Sequence, residues 1–392
     1  MFTRVCTFFF LLAATVSVIH GAEKKSDGDF VPHRVGNYRS EACGVGDFNN
    51  DGKLDIVAGP FLYLAPDWKA VKIRELKGSV NEQGDGYMWD FANLPLDVDG
   101  DGWLDVFTCS WHEKQSSWFR NPGPAGGLWR ETVIEVNGNF ETADLWDLDA
   151  DGEEDEILPA VQGTCWYERG TLEGGRRGMV KHVVSEKTMA WGVGAGDVNG
   201  DGRGDILRPD AWFEAPSDRL SGAWKERPLA LGNLKEDKPE HTPQILVADV
   251  NGDGRGDIIT SSAHRYGIFW YEQKGTAANP TWTEHVIDDS WSQAHALCLA
   301  DLDGDGDLDL VTGKRFRAHN GHDPGGSDPP GVYWYEFTPK KAPFWKKHTI
   351  SFNEGIGAGL NIPVVDLDGD GDLDIVVTGK WGGPVWFENT RK

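Results

Sequence analysis

The sequence predicts an all-β fold, a single seven-bladed β-propeller with four-stranded blades, on three observations. A nine-residue acidic loop recurs seven times, its copies are almost evenly spaced, and each is followed by a β-branched segment and then an aromatic one. The loop, Asp-x-Asp/Asn-x-Asp-Gly-x-x-Asp, begins at Asp47, Asp97, Asp147, Asp197, Asp249, Asp301 and Asp366, at intervals of 50, 50, 50, 52, 52 and 65 residues. A period of this length marks a repeat architecture, in which each unit buries its apolar face against the next.

The elements follow in order within each repeat. The loop runs into segments such as Asp309-Leu-Val-Thr and Asp374-Ile-Val-Val, whose β-branched residues predict strands, so the loop joins two strands. An aromatic strand comes next, as in Ser117-Trp-Phe-Arg, Cys165-Trp-Tyr-Glu, Phe269-Trp-Tyr-Glu and Val385-Trp-Phe-Glu. A fourth is read in Trp129-Arg-Glu-Thr-Val-Ile, Lys181-His-Val-Val, Trp282-Thr-Glu-His-Val-Ile and Trp345-Lys-Lys-His-Thr-Ile. Four strands in about 50 residues, seven times over, make a propeller. The last repeat stops at its third strand, while Phe30-Val-Pro-His33-Arg-Val has the outer-strand pattern and precedes the first loop. The N-terminal strand is therefore expected to complete the seventh blade and remove the open edges.

The loop chemistry is that of a hard cation. Oxygens at positions 1, 3, 5 and 9 converge while Gly at position 6 permits the sharp turn, which suits Ca²⁺ at about one per repeat. The expected ligands are Asp47, Asn49, Asp51 and Asp55; Asp97, Asp99, Asp101 and Asp105; Asp147, Asp149, Asp151 and Asp155; and Asp197, Asn199, Asp201 and Asp205. The later copies contribute Asp249, Asn251, Asp253 and Asp257; Asp301, Asp303, Asp305 and Asp309; and Asp366, Asp368, Asp370 and Asp374. An EF-hand begins the same way but needs a Glu at position 12, and position 12 here runs Ala58, Thr108, Leu158, Arg208, Thr260, Thr312, Val377. Plain solvated hairpins are the alternative, but they leave three or four mutually repelling carboxylates unscreened.

These loops resemble the FG-GAP/VCBS-type calcium-binding repeats of integrin α-subunit propellers and many secreted bacterial proteins, and the resemblance covers almost all of the chain after its leader. It implies the propeller fold and bound calcium. Similar Asp-loop propellers occur in rhamnogalacturonan lyases and aldos-2-ulose dehydratases as well as in adhesion proteins, so activity has to be argued from a site.

The chain has 392 residues with 63 Asp+Glu against 38 Lys+Arg, a formal net charge of −25. That balance argues against nucleic-acid or anionic-membrane partners. Arg4, an apolar run from Phe8 to Ile19 and small residues at Gly21 and Ala22 read as a secretory signal over residues 1–22, leaving a propeller over 23–392 that is secreted or periplasmic. No other stretch is apolar for long enough to span a membrane. Beyond Cys6 lie Cys43, Cys109, Cys165 and Cys298, with no CxxC spacing, and free buried thiols are the plainer reading.

In a propeller, the connections opposite the Asp loops surround a central funnel. About six residues before each loop come Glu41, Phe91, Glu141, Trp191, Pro243, His295 and Leu360; about seven after it come Leu62, His112, Gln162, Trp212, His264, Phe316 and Trp381. The histidines divide accordingly. His33, His182, His285 and His348 recur in the outer strand and read as structural, whereas His112, His241, His264, His295, His319 and His322 map to the funnel face. The 65-residue interval comes from an insertion starting Gly313-Lys-Arg-Phe-Arg, whose Lys314, Arg315 and Arg317 would bring positive charge, unless it is only a lid or interface loop. The segment Gly84-Asp-Gly-Tyr87-Met-Trp89-Asp90 would supply an aromatic platform.

Two functions from different classes fit. The first is a carbohydrate lyase or dehydratase, with His112, His264 or His295 as base, Lys314 and Arg315 stabilising developing charge, and Glu141 or Asp90 orienting the base. Tyr87, Trp89, Asp90, Trp191, His241, Arg317, His319 and His322 would bind the substrate. The same imidazoles would alternatively hold an additional transition metal in the funnel. The second is a non-catalytic module binding glycan or protein at a cell surface. No GxSxG, HExxH, P-loop or dinucleotide fingerprint is present.

Overall fold

The second strand of each repeat sets the architecture. Asp55–Ala58, Asp105–Ser110, Glu156–Ala160, Asp205–Arg208, Asp257–Ser261, Asp309–Lys314 and Asp374–Val377 are buried at every position. A strand covered on both faces must lie between two other layers, which explains its unbroken apolar character. The computed structural model describes residues 26–148, 151–232, 241–276, 279–338 and 343–391, so the expected leader and Asp149 lie outside the described residues.

Seven four-stranded antiparallel sheets stand around an axis. Blade 1 is built from Cys43–Gly46, Asp55–Ala58, Phe61–Leu64 and Lys69–Lys72, and blade 2 from Leu94–Leu96, Asp105–Ser110, Gln115–Arg120 and Arg130–Val136. Blades 3 to 6 repeat the scheme from the innermost strands Thr142–Trp146, Gly194–Gly196, Leu246–Ala248 and Ala294–Ala300 outward. Blade 7 has Val364–Val365, Asp374–Val377 and Gly383–Asn389, and its fourth strand is Phe30–Tyr38, with Phe30 opposite Asn389 and His33 opposite Trp386. The expected closure by the N-terminal strand is thus what the chain adopts. A further two-stranded hairpin, Gly78–Val80 with Gly86–Met88, lies between blades 1 and 2.

Seven buried apolar clusters fill the seams, each drawing on two adjacent blades. Val57 and Leu62 meet Val106 and Phe119 at the first seam, and Cys43, Ile56 and Tyr63 meet Val376 and Trp386 at the seam that closes the ring. Each such side chain contributes about 1.5–3 kcal/mol when fully buried, so no blade is stable apart from its neighbours. The four described cysteines are free, and Cys43, Cys109 and Cys165 are buried in the seams.

The Asp loops share one turn. Gly at position 6 takes φ between 81° and 101° in all seven copies, a region that L-residues rarely adopt. Its N–H donates to the carboxylate of the first Asp, as from Gly52 to Asp47 and from Gly306 to Asp301. The last Asp is buried at the start of the second strand: Asp105 accepts from the N–H groups of Val98 and Asn121, and Asp309 from Leu302 and Phe337. Blade 3 departs from the pattern. Its innermost pair is Trp146 with Glu156 rather than Asp155, so the loop is one residue longer and Glu156 accepts the Leu148 N–H. Asp155, expected as a loop ligand, is instead ion-paired with Arg169.

Candidate functional site

Opposite the Asp loops the ring encloses a cavity of about 250 Å³. Six of the seven residues counted about six positions before the Asp loops line it: Phe91, Glu141, Trp191, Pro243, His295 and Leu360. The seventh, Glu41, is buried behind it against Arg315. The residues expected after the second strand behave differently, and hairpin length is the reason. Blades 1 and 4 turn within two residues, so Leu62 and Trp212 are already in the third strand and pack in seams. Blades 2 and 5 have four-residue connections, which carry Trp111 with His112 and Ala263 with His264 into the cavity.

Arg315 organises the floor. Its Nε and Nη2 donate to the two Glu41 carboxylate oxygens at 2.8 and 3.3 Å, and Nη1 donates to Glu141 at 3.3 Å and to His295 Nε2 at 2.8 Å. A guanidinium can only donate, so His295 Nε2 accepts and the imidazole is neutral. Burial and then the Arg315 charge both hold His295 well below the usual imidazole range. Burial opposes charge on Glu41 and Arg315 as well, but their mutual attraction prevails: Glu41 is lowered and Arg315 raised.

The wall is aromatic. The rings of Trp111 and Trp191 are 5.0 Å apart, and His241 lies edge-on to Trp191 at 5.2 Å. The Trp191 backbone N–H donates to His241 Nδ1 at 3.1 Å. His112 packs 5.4 Å from Tyr87, 5.8 Å from Trp89 and 5.9 Å from Phe91, and burial lowers its pKa. Burial likewise pushes the Tyr87 phenol up to about 12.

The blade 6 insertion reaches across the mouth to the connection between blades 1 and 2. Arg317 pairs with Asp85 by Nε at 2.9 Å, the His319 N–H donates to the Tyr87 hydroxyl at 2.7 Å, and the Gly86 N–H donates to Asn320 at 2.8 Å. His319 stacks on His264 with centroids 4.4 Å apart, and its Nδ1 lies 3.0 Å from Asp323. His264 is drawn down to about 3, first by burial and then by the His319 and Arg315 charges.

Of the sequence-predicted residues, His112, Glu141, His264, His295, Arg315, Tyr87, Trp191, His241 and His319 line this one cavity. The others do not. Lys314 is 1 % exposed and donates to the carbonyl and hydroxyl oxygens of Ser292, with burial lowering its ammonium to about 8. Strand alternation turns it away from the face that Arg315 presents. Asp90 is fully buried against Arg74, Trp89 only backs His112, Arg317 is spent on Asp85, and His322 is exposed outside the cavity. The expected surplus of positive charge is therefore not there, because Glu41 and Glu141 balance Arg315. Missed from sequence were Trp111, Asp323 and Lys380. Lys380 Nζ sits 3.3 Å over the Tyr87 ring, and Asp323 was legible only as a carboxylate four residues after His319.

The Asp loops form the second candidate site. Among the described residues, three of them bring ligand atoms within 4.8 Å of one another: Asp97, Asp99 and Asp101; Asp301, Asp303 and Asp305; and Asp366, Asp368 and Asp374. Asp99 Oδ1 and Asp301 Oδ1 are buried without a hydrogen-bond partner. An oxygen so placed is costly unless something shares it, and an all-oxygen donor set of this kind fits a hard cation. In blade 2, Arg120 also contacts Asp99 and Asp101.

Residues 249–312, from the fifth Asp loop through the sixth to the second strand of blade 6, match the FG-GAP-like repeat family. The chain is a seven-bladed β-propeller carrying that repeat. No curated protein matches it in sequence. Among solved structures it is similar to an Agrocybe aegerita lectin described as recognising non-reducing terminal N-acetylglucosamine, at 14% identity over 91% of this chain and 87% of the lectin, with a TM-score of 0.47. The exotype rhamnogalacturonan lyase YesX is similar at 10% identity over 90% and 72%, TM-score 0.49. The V. cholerae biofilm matrix protein Bap1 is similar at 13% over 88% and 78%, TM-score 0.37.

Proposed function

We propose that the funnel binds a saccharide, in a secreted propeller whose Asp loops hold Ca²⁺. One observation carries this reading: the tilted Trp111 and Trp191 rings share a single cavity with Glu141, His112, His241 and Arg315. A sugar ring has apolar C–H faces and polar edges, which is the complement of an aromatic wall rimmed by a few convergent donors and acceptors. The balanced Arg315, Glu41 and Glu141 set favours a neutral sugar over a uronate. In an array of neutral and acidic glycans, binding of neutral sugars is expected, with about tenfold weaker affinity in Trp191→Ala, a loss of about 1.4 kcal/mol. Equal binding by that variant refutes the site.

Elimination chemistry on the bound sugar is a second reading, favoured by His112, whose lowered pKa keeps it a free base at neutral pH. It would take the proton from a carbon beside a carbonyl. The electron pair of that C–H bond forms C=C as the neighbouring C–O bond breaks, and the departing oxygen takes the abstracted proton back from the His112 imidazolium, which leaves the base as it began. Absorbance of an unsaturated product, lost in His112→Ala, supports this reading; no product from any sugar that binds sinks it. For the loops, chelating Ca²⁺ should lower the melting temperature and readdition should restore it; an unchanged curve refutes them as calcium sites.

A further inference from the structure

We propose that His264, His319 and Asp323 form a binding site for one first-row divalent transition ion, with Zn²⁺ as its probe, at the mouth of the funnel. The inference does not depend on what the cavity binds. The three side chains come from two blades: His264 from the blade 5 connection, and His319 and Asp323 from the blade 6 insertion. One ligand atom from each lies within 4.8 Å of the other two. Asp323 Oδ2 is 3.3 Å from His264 Nδ1 and 3.0 Å from His319 Nδ1. Around an ion with bonds of about 2.0–2.1 Å, neighbouring ligand atoms stand roughly 3.0–3.4 Å apart. The two separations from Asp323 match those edges.

Two further observations separate a metal site from a simple ion pair. His264 Nδ1 is buried and makes no hydrogen bond although a carboxylate oxygen is 3.3 Å away, as befits two atoms that face a common point rather than each other. The backbone of the insertion is also held in a costly shape: Arg317, His319 and Asn320 all have positive φ, at 53°, 46° and 57°. Strain of this kind persists where surrounding contacts impose it, and it clusters at ligand clamps. The contacts to Asp85, Gly86 and Tyr87 impose it here. The His319–Asp323 pair, whose imidazole is largely exposed, would alone contribute too little to justify it.

The donor set chooses the ion. Two imidazoles and one carboxylate suit Zn²⁺, Mn²⁺, Fe²⁺ or Co²⁺ and not Ca²⁺, which prefers oxygen. Gln293 Nε2 donates to Asp323 Oδ2 at 3.2 Å and orients the carboxylate. Three protein ligands leave a coordination position open, and His264 and His319 both line the cavity.

The test uses the full mature chain, stripped with chelator, resaturated with excess Ca²⁺ to occupy the Asp loops, and titrated with Zn²⁺ by calorimetry. One Zn²⁺ per chain is expected. Gln293→Ala should weaken it by about 10–100-fold, and His264→Ala and Asp323→Asn by more, with melting temperatures checked in Ca²⁺. His319→Ala, at a largely exposed residue, gives the same loss should His264→Ala fail to fold. No Zn²⁺ bound by the wild-type chain, or equal affinity in His264→Ala and His319→Ala, overturns the site. Glycan binding by the stripped, Ca²⁺-saturated protein tells failure of this site from failure of the saccharide reading.

Discussion

The outer rim and the axis of this ring use the same residue type in opposite ways. On the rim, His33, His182, His285 and His348 stack on Trp386, Trp166, Trp270 and Trp334, with centroids 4.2–4.5 Å apart and planes within 22°. Each faces a Glu two residues beyond that Trp: Glu388, Glu168, Glu272 or Glu336, at 2.6–3.1 Å. Strand register makes the unit, because each His is directly opposite its Trp across the outer pair of strands. Blade 4 keeps the scheme with Arg227 opposite Trp212 and paired with Glu214. At the axis the histidines follow no common scheme: His112 packs among aromatics, His295 accepts from Arg315, and His264 stacks on His319. The histidines that obey the repeat build the blades, and those that line the cavity all depart from it.

The largest break in that contrast should come from Arg315. Arg315→Met removes the one guanidinium that ties Glu41, Glu141 and His295 together and strands the buried Glu41 without a partner. Loss of one member of a buried pair costs about 3–5 kcal/mol, read as a fall in urea midpoint at neutral pH, and ligand binding should be lost with it. A companion change of Glu41→Gln should recover part of the stability, because the orphaned charge is then gone. A variant as stable as wild type would show that the axis is not held by this network.

A second axial group sharpens the comparison by pH. Asp144 donates no charge to the rim scheme; it is half-buried on the innermost strand of blade 3 and accepts from Gln244 of blade 5, with Glu154 and Cys298 nearby. Burial, ahead of every other influence, pushes its carboxyl up to about 7. The folded state therefore holds the proton more tightly than the unfolded chain, whose Asp titrates near about 3.9. The cost of ionising Asp144 is absent below about pH 4, grows through pH 4–7 and is complete above 7, at most about 4 kcal/mol. Asp144→Asn should thus be more stable than wild type at pH 8 and equal to it near pH 4. Measuring both in saturating Ca²⁺ cancels the loop carboxylates, and parallel stability profiles would remove Asp144 from the account.

What was legible in the sequence follows from the same division. The Asp loops, the seven blades, the closing strand and the partition of the histidines all express a period, so the residue numbers alone place them. Lys314 was misplaced because alternation along one strand, not proximity in sequence to Arg315, decides which way it points. Asp90 and Trp89 sit in a connection whose path depends on the hairpin at Gly78–Val80 and Gly86–Met88, which no repeat specifies. Asp323 lies in the one insertion that stands outside the period. Asp155 was assigned by the motif, but a one-residue longer loop hands its place to Glu156. Each miss is a local geometric choice on a scaffold that the period determines.

The smallest effects should come from the rim itself, and their gradation is the finest test of the contrast. The stacked histidines differ in exposure: the His348 side chain is 12% exposed and His182 21%, against 39% for His285 and 40% for His33. Truncation to Ala forfeits an aromatic contact and a hydrogen bond, about 1–2 kcal/mol where buried and less where water already competes. Thermal unfolding should therefore rank the losses His348, His182, then His285 and His33 together, with ligand and Zn²⁺ affinity unchanged in all four. His112→Ala should do the reverse, leaving the melting temperature close to wild type while weakening the ligand, since its ring meets the cavity rather than a repeated partner. If a rim variant such as His348→Ala weakens the ligand as much as His112→Ala does, then repetition does not mark the structural residues of this ring, and the site must be sought beyond the funnel.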